Sequence, residues 1–178
     1  MRTPITVLLV AGALSACGGD DGGSSGETET AASRIELRSP ELRPGGRLER
    51  AATCNGEGRA PAFEWSGVPE GTQELALVLE DPDAPDGTFT HWTVWGLDPA
   101  AGALFGEGPL EGAASSGKRG YEPPCPPEGD GPHTYRFVLH ALDRKLDLKA
   151  GASPEEFHDA VERLSTAEGT LAGTYERR

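Results

Sequence analysis

The chain has 178 residues, of which 36% are hydrophobic, 25 are glycine and 15 are proline. That Gly and Pro load argues against a helical bundle and favours a loop-rich β fold. Sixteen Lys and Arg against 29 Asp and Glu give a formal net charge of −13, which argues against nucleic acid or an anionic membrane surface as partner.

The chain opens MRTPITVLLVAGALSAC over residues 1–17. Arg2 is the positive start, Ile5 to Leu14 form a short apolar run, and Leu14-Ser15-Ala16-Cys17 follows. The run is too short to span a bilayer as a stable helix. The small residues ending in Cys are similar to a bacterial lipobox. That resemblance implies cleavage before Cys17, acylation of its thiol, and an exported protein held at the bacterial cell envelope by a lipid anchor. An ordinary secretory leader is the alternative. Residues 18–33, GGDDGGSSGETETAAS, contain no aromatic, no aliphatic larger than Ala and no basic residue. Such a segment cannot bury enough to order itself and is expected to act as a disordered acidic tether of roughly 20–25 Å. The folded domain is then expected over residues 34–178, a length that suits one sizeable core.

Ile35 to Ser39 is a short strand candidate, and Phe63-Glu64-Trp65 is a second, stopped by Ser66-Gly67 and Pro69. Glu74 to Glu80 reads ELALVLE. Its alternate positions are apolar on both sides, which predicts a strand buried between layers. His91 to Leu97, HWTVWGL, is rich in strand formers. His133 to Asp143 is a long strand that sets Tyr135, Phe137, Leu139 and Ala141 on one face. Ser153-Pro154-Glu155-Glu156 supplies a helix cap, a proline at the first helical position and a Glu at the third. Phe157, Ala160, Val161 and Leu164 then follow at helical spacing, for packing on the sheet. Thr170 to Glu176 is a candidate closing strand. Asp98 to Pro132 shows little periodicity, and a loop of that length implies function or short hidden elements.

Cys54 and Cys125 remain once Cys17 is assigned to lipid. An even pair in an exported chain suggests a disulfide. It would close a loop of about 70 residues, worth roughly 4 kcal/mol by chain entropy. Two free thiols, or one catalytic thiol, are the alternatives.

Three segments concentrate chemistry. Asp81-Pro82-Asp83-Ala84-Pro85 follows the buried strand and makes a stiff turn that presents carboxylates. Thr90-His91-Trp92 opens the next strand. Pro124-Cys125-Pro126-Pro127-Glu128-Gly129 leads to Pro132-His133-Thr134-Tyr135, where His133 and Tyr135 share a strand face. In this order, DPDAP, THW, PCPPEG, PHTYRF and LHALD resemble the bacterial branch of the phosphatidylethanolamine-binding protein (PEBP) family, also called Raf kinase inhibitor-like proteins. The likeness runs from about Ser39 to the C-terminus.

The resemblance implies a mainly β fold, a PEBP-like sandwich of two packed sheets with peripheral helices. It implies a small anion pocket formed by Asp81, His91, Pro127, His133 and Tyr135, with Asp83, Pro85 and Trp92 nearby. Two imidazoles and a phenol can donate to an anion's oxygens. Asp81 is out of place beside an anion. It either accepts a bond from His91 and favours the imidazolium, or contacts a cationic group attached to the phosphate. Asp81, Asp83, Asp86 and His91 match no metal motif, so neither metal nor cofactor is expected. His140 and His158 lack motif support. The segment ASSGKRGYEPPCPP departs from the family pattern, because Glu122-Pro123 replaces a glycine-rich run.

The function these features imply is a non-catalytic envelope protein that recognises a phosphate-bearing or other small anionic ligand and regulates a partner. The alternatives are a hydrolase using the His/Asp pocket and a module resembling kinase or protease inhibitors. No G-x-S-x-G motif or Cys-His arrangement supports the hydrolase.

Overall fold

Strand β3, Glu74–Asp81, is the centre of the molecule. In the computed structural model, residues 34–105 and 109–177 are described. The leader, the tether and Cys17 lie outside the described residues. The two apolar faces of β3 serve two different cores. Leu75, Leu77 and Leu79 enter the larger one, and Ala76 and Val78 enter the smaller one.

Two antiparallel sheets and one α-helix surround this strand among the described residues. A three-stranded sheet is built from β1 (Glu36–Arg38), β2 (Phe63–Ser66) and β5 (Ala103–Leu104), in that order. A five-stranded sheet runs β6 (Leu110–Glu111), β4 (Phe89–Leu97), β3, β7 (His133–Leu142) and β8 (Ser165–Tyr175). Leu37, Phe63, Trp65 and Leu104 of the small sheet pack on the larger core face of the large one. Each fully buried Leu or Phe contributes roughly 1.5–3 kcal/mol. Helix α1, Pro154–Leu164, covers the opposite face through Phe157, Ala160 and Val161. A three-residue 3-10 turn at Arg50–Ala52 has no counterpart in the periodicity of the sequence.

The helix begins where the capping signal places it. Ser153 Oγ accepts from the Glu156 amide at 3.2 Å, and Glu156 Oε2 accepts from the Ser153 amide at 2.7 Å. This reciprocal box satisfies two donors that the first turn leaves unpaired. The closing strand is longer than the alternation suggests, because its first half, STAEG, carries few apolar residues. Backbone pairing defines that half instead, from Leu142↔Ser165 onward. Gly169 permits the close pass of the N-terminal segment, since a Cβ there would stand 2.3 Å from the Ile35 carbonyl oxygen.

The stretch between Asp98 and Pro132 does contain hidden elements, β5 and β6. Much of the remainder runs along β4 and takes its hydrogen bonds from it. Gly112 donates to Thr93 O at 3.1 Å, Ser115 to Thr90 O at 2.9 Å and Glu122 to His91 O at 2.9 Å. These bonds settle its backbone donors without any side-chain periodicity. Cys54 and Cys125 are joined by a disulfide, with Cα atoms 5.4 Å apart.

Candidate functional site

The larger core face changes character at one end. On β3 it runs Leu75, Leu77, Leu79 and then Asp81. On β7 it runs Ala141, Leu139, Phe137 and then Tyr135 and His133. Period-two alternation therefore delivers a carboxylate, a phenol and an imidazole to the same end of one face. His91 arrives by another route. The β3–β4 register passes from Leu79↔Trp92 to Glu80↔Thr90, so β4 has one extra residue there, and that residue is His91. A bulge re-aims the side chain it carries. It brings His91 to the cavity beside Phe89, the partner of Asp81 in the ladder.

These residues line a cavity of about 260 Å³, walled also by Pro85, Glu122, Pro126 and Pro127. Asp81, His133 and Tyr135 are 3%, 3% and 0% exposed. The rings converge, with His91 standing edge-on to Tyr135 at 5.5 Å and His133 stacking on it at 6.5 Å. The Pro124–Pro127 wall is held from outside. The disulfide anchors Cys125, and the Cys54 amide donates to Pro124 O at 3.1 Å.

Asp81 faces His133, not His91. Its Oδ2 lies 2.8 Å from His133 Nδ1, and its Oδ1 accepts from the Asp83 amide at 2.9 Å. The second ring nitrogen of His133 lies 3.3 Å from Asp130 Oδ2. Burial opposes a charge on His133, but the bonds to Asp81 and Asp130 outweigh it and hold its pKa above the ordinary value. His91 is the reverse case. Its Nδ1 lies 3.0 Å from the Glu122 carbonyl oxygen. Burial is the largest influence on it and pushes its pKa below the ordinary value, against the pull of Glu122 and Asp81. A carbonyl only accepts, so Nδ1 carries the hydrogen, and Nε2 of the neutral ring is an acceptor.

The Tyr135 hydroxyl is sealed from solvent and interacts with the nearby Asp81 carboxylate, without a hydrogen bond of full geometry among the described residues. Burial first, and the nearby Asp81 carboxylate second, raise its pKa, so it keeps its proton. A buried hydroxyl without a full hydrogen bond is costly, and the side chain that carries this one is part of the cavity wall.

Two of the expected residues do not line the cavity. Asp83 turns to the Thr134 amide, 2.7 Å away, which lowers its pKa. It braces the turn after β3 against β7. Trp92, fully buried, donates its indole N–H to Glu111 Oε1 at 2.8 Å and belongs to the core. Phe89 and Glu122 are lining residues that sequence reasoning did not assign to the pocket. The bulge leaves no pattern in the sequence, whereas the departure at Glu122-Pro123 marks a segment that proves to be the rim. A larger cavity of about 630 Å³ lies by Glu41, Arg59, Glu111 and Tyr121. Its carboxylates already hold partners: Arg59 at 2.7 Å for Glu41, and Trp92 for Glu111.

A β-sandwich with a buried polar cavity at the end of its inter-sheet face defines the class of this molecule. The chain belongs to the phosphatidylethanolamine-binding protein family, whose model matches residues 38–176. It is 38% identical over 152 residues to a UPF0098 protein of Methanothermobacter thermautotrophicus, covering 80% of this chain and 99% of that one. It is 36% identical over 196 residues to LppC of Mycobacterium tuberculosis, named as a candidate lipoprotein, covering 98% and 96% of the two chains. Among solved structures it resembles YbcL of E. coli, a member of the mammalian PEBP family by description. The TM-score is 0.77 and the identity 28%, covering 82% of this chain and 99% of YbcL. A candidate PEBP homologue, CT736 of Chlamydia trachomatis, aligns with a TM-score of 0.74 and 33% identity over 82% of this chain and 99% of its own.

Proposed function

We propose that the chain is an envelope-anchored, non-catalytic binding protein that takes a small phosphate-bearing or other anionic group into the cavity between His91, His133 and Tyr135. The observation that carries this reading is the Tyr135 hydroxyl. It is a buried donor approached by the Asp81 carboxylate without a hydrogen bond of full geometry, on a side chain that lines the cavity. An oxyanion entering the cavity would offer that hydroxyl a second acceptor, and the proline walls add stiffness without competing donors. The lining contains no Ser or Thr, and its single Cys is held in a disulfide. Binding therefore fits the lining better than nucleophilic hydrolysis does.

Anchoring through Cys17 and a flexible 18–33 tether is the accompanying proposal. It rests on the lipobox-like sequence and on the lipoprotein name of the M. tuberculosis relative. Ligand binding is tested by thermal unfolding of the protein with phosphate or phosphorylethanolamine. A ligand at 100 times its Kd stabilises by about 2.7 kcal/mol, and no shift at tens of millimolar rejects the site. Anchoring is tested by fractionation, where Cys17→Ser is expected to move the protein out of the membrane fraction. Retention of that variant in the membrane rejects lipidation at Cys17.

A further inference from the structure

The disulfide joins two half-cystines that both stand exposed on the surface. One of its sulfurs carries a cation. Arg177, just past the end of β8, donates from Nη1 to Cys125 Sγ at 3.1 Å, and its Nη2 lies 3.2 Å from Glu128 Oε1. The Arg177 side chain is 29% exposed. Its Nε is sealed from solvent, without a hydrogen bond among the described residues. A guanidinium held at two points and partly stripped of water acts more strongly on a neighbouring charge than one free in solution. Cys54 Sγ has no cation bonded to it among the described residues. Arg50, on the 3-10 turn before it, is turned to the Asn55 carbonyl oxygen at 2.5 Å.

That asymmetry sets which way the bond opens. In thiol–disulfide exchange a thiolate adds to one sulfur and the other departs with the electron pair, and the sulfur with the more stable thiolate departs faster. A thiolate at Cys125 would form against the Arg177 guanidinium, the setting that lowers a cysteine pKa. We infer that the Cys54–Cys125 bridge is an exchange site for small thiols, with Cys54 the sulfur attacked and Cys125 the leaving sulfur. The bond between the two cysteines breaks, a bond forms between Cys54 Sγ and the incoming sulfur, and the electron pair stays on Cys125 as a thiolate. The small thiol itself supplies the electrons, so no other reductant enters. The product is a chain thiolated at Cys54. Attack in reverse by Cys125 expels the small thiol and restores the bridge. Two bonds outside the disulfide keep the segments side by side for that return. The Cys54 amide donates to Pro124 O at 3.1 Å, and the Tyr121 hydroxyl donates to Ala52 O at 2.7 Å.

The test uses the full chain with Cys17→Ser, so that Cys54 and Cys125 are its only cysteines. The native protein is exposed to 2-mercaptoethanol, an uncharged thiol, at one fixed pH and without denaturant. Early samples are quenched with acid, free thiols are alkylated, and the adduct is located by peptide mass spectrometry. The mixed disulfide is expected on Cys54 and the alkyl group on Cys125, in at least about fivefold excess over the opposite pattern. The rate is expected to rise in proportion to thiol concentration. Arg177→Gln is expected to slow exchange by on the order of 10-fold and to erode the preference for Cys54, and Arg177→Lys to recover most of both. An adduct mainly on Cys125 overturns the proposal. A rate independent of thiol concentration also overturns it, since the bond would then open only on unfolding. A folded Arg177→Gln variant that exchanges within about twofold of the parent, with the same preference, removes the guanidinium as the cause. Should that variant not fold, adduct position and concentration dependence with Arg177 intact still decide the matter.

Discussion

The two ends of the inter-sheet face are equally buried and chemically opposite. At one end Leu75 and Leu77 of β3 meet Ala141 and Leu139 of β7. At the other, Asp81 meets His133, and Tyr135 lies between two imidazoles. Leu77 and Tyr135 are both 0% exposed. The apolar end satisfies itself, because each side chain gains contacts from its neighbours. The polar end is satisfied only in part: among the described residues the Tyr135 hydroxyl meets Asp81 without a hydrogen bond of full geometry, and His91 is bonded through Nδ1. Burial alone therefore does not separate core from site. The separating quantity is whether each buried polar atom has a partner.

Perturbations spread over the two ends should separate stability from binding. The largest loss is expected from removing the disulfide, which spans 71 residues. Cys54→Ser with Cys125→Ser should cost roughly 4 kcal/mol in denaturant unfolding. It should also weaken ligand binding by loosening the Pro124–Pro127 wall, and unchanged affinity would show that the wall holds without its anchor. Leu77→Ala, at the apolar end, should cost about 2–5 kcal/mol while leaving anion affinity within about twofold in the folded fraction. Ser153→Ala, on α1 and remote from both ends, should cost about 1 kcal/mol with no change in binding. A loss much smaller than that would contradict the capping box.

The two imidazoles sharpen the contrast within the polar end itself. NMR titration is expected to place the His133 midpoint above the ordinary 6.5 and that of His91 below it. Midpoints on the same side would contradict the assigned partners. The signs carry over to stability. The His133 contribution is complete below 6.5 and is lost as pH rises through its elevated folded value, whereas that of His91 is present above 6.5 and is lost as pH falls through its depressed one.

The apolar end was legible in the sequence because its signals are local and periodic. ELALVLE alternates on both faces, and Tyr135 to Ala141 share one side of a strand. The helix was legible to the residue through Ser153, Pro154 and Glu156. The polar end was legible only as a set of residues. Asp81, His91, Pro85, Pro127, His133 and Tyr135 line one cavity as the family resemblance implies, but their pairing was not readable. The partner of Asp81 depends on which imidazole a bulge displaces, and a one-residue register change in β4 leaves no compositional trace. Trp92 sits next to His91 in sequence yet enters the core, for the same reason. Asp83, two residues from Asp81, is claimed by a backbone amide of β7.

The central claim is that the Tyr135 hydroxyl serves a ligand more than it serves the fold. Tyr135→Phe deletes that single oxygen and keeps the ring that both imidazoles touch. Paired unfolding curves of the protein and this variant, with and without methyl phosphate at pH 5.5, measure the two roles together. Without ligand the variant should be within about 1 kcal/mol of the parent, since the hydroxyl makes no hydrogen bond of full geometry in the fold, and with ligand its stabilisation should disappear. A variant that is destabilised without ligand, yet stabilised by methyl phosphate as much as the parent, would contradict the account.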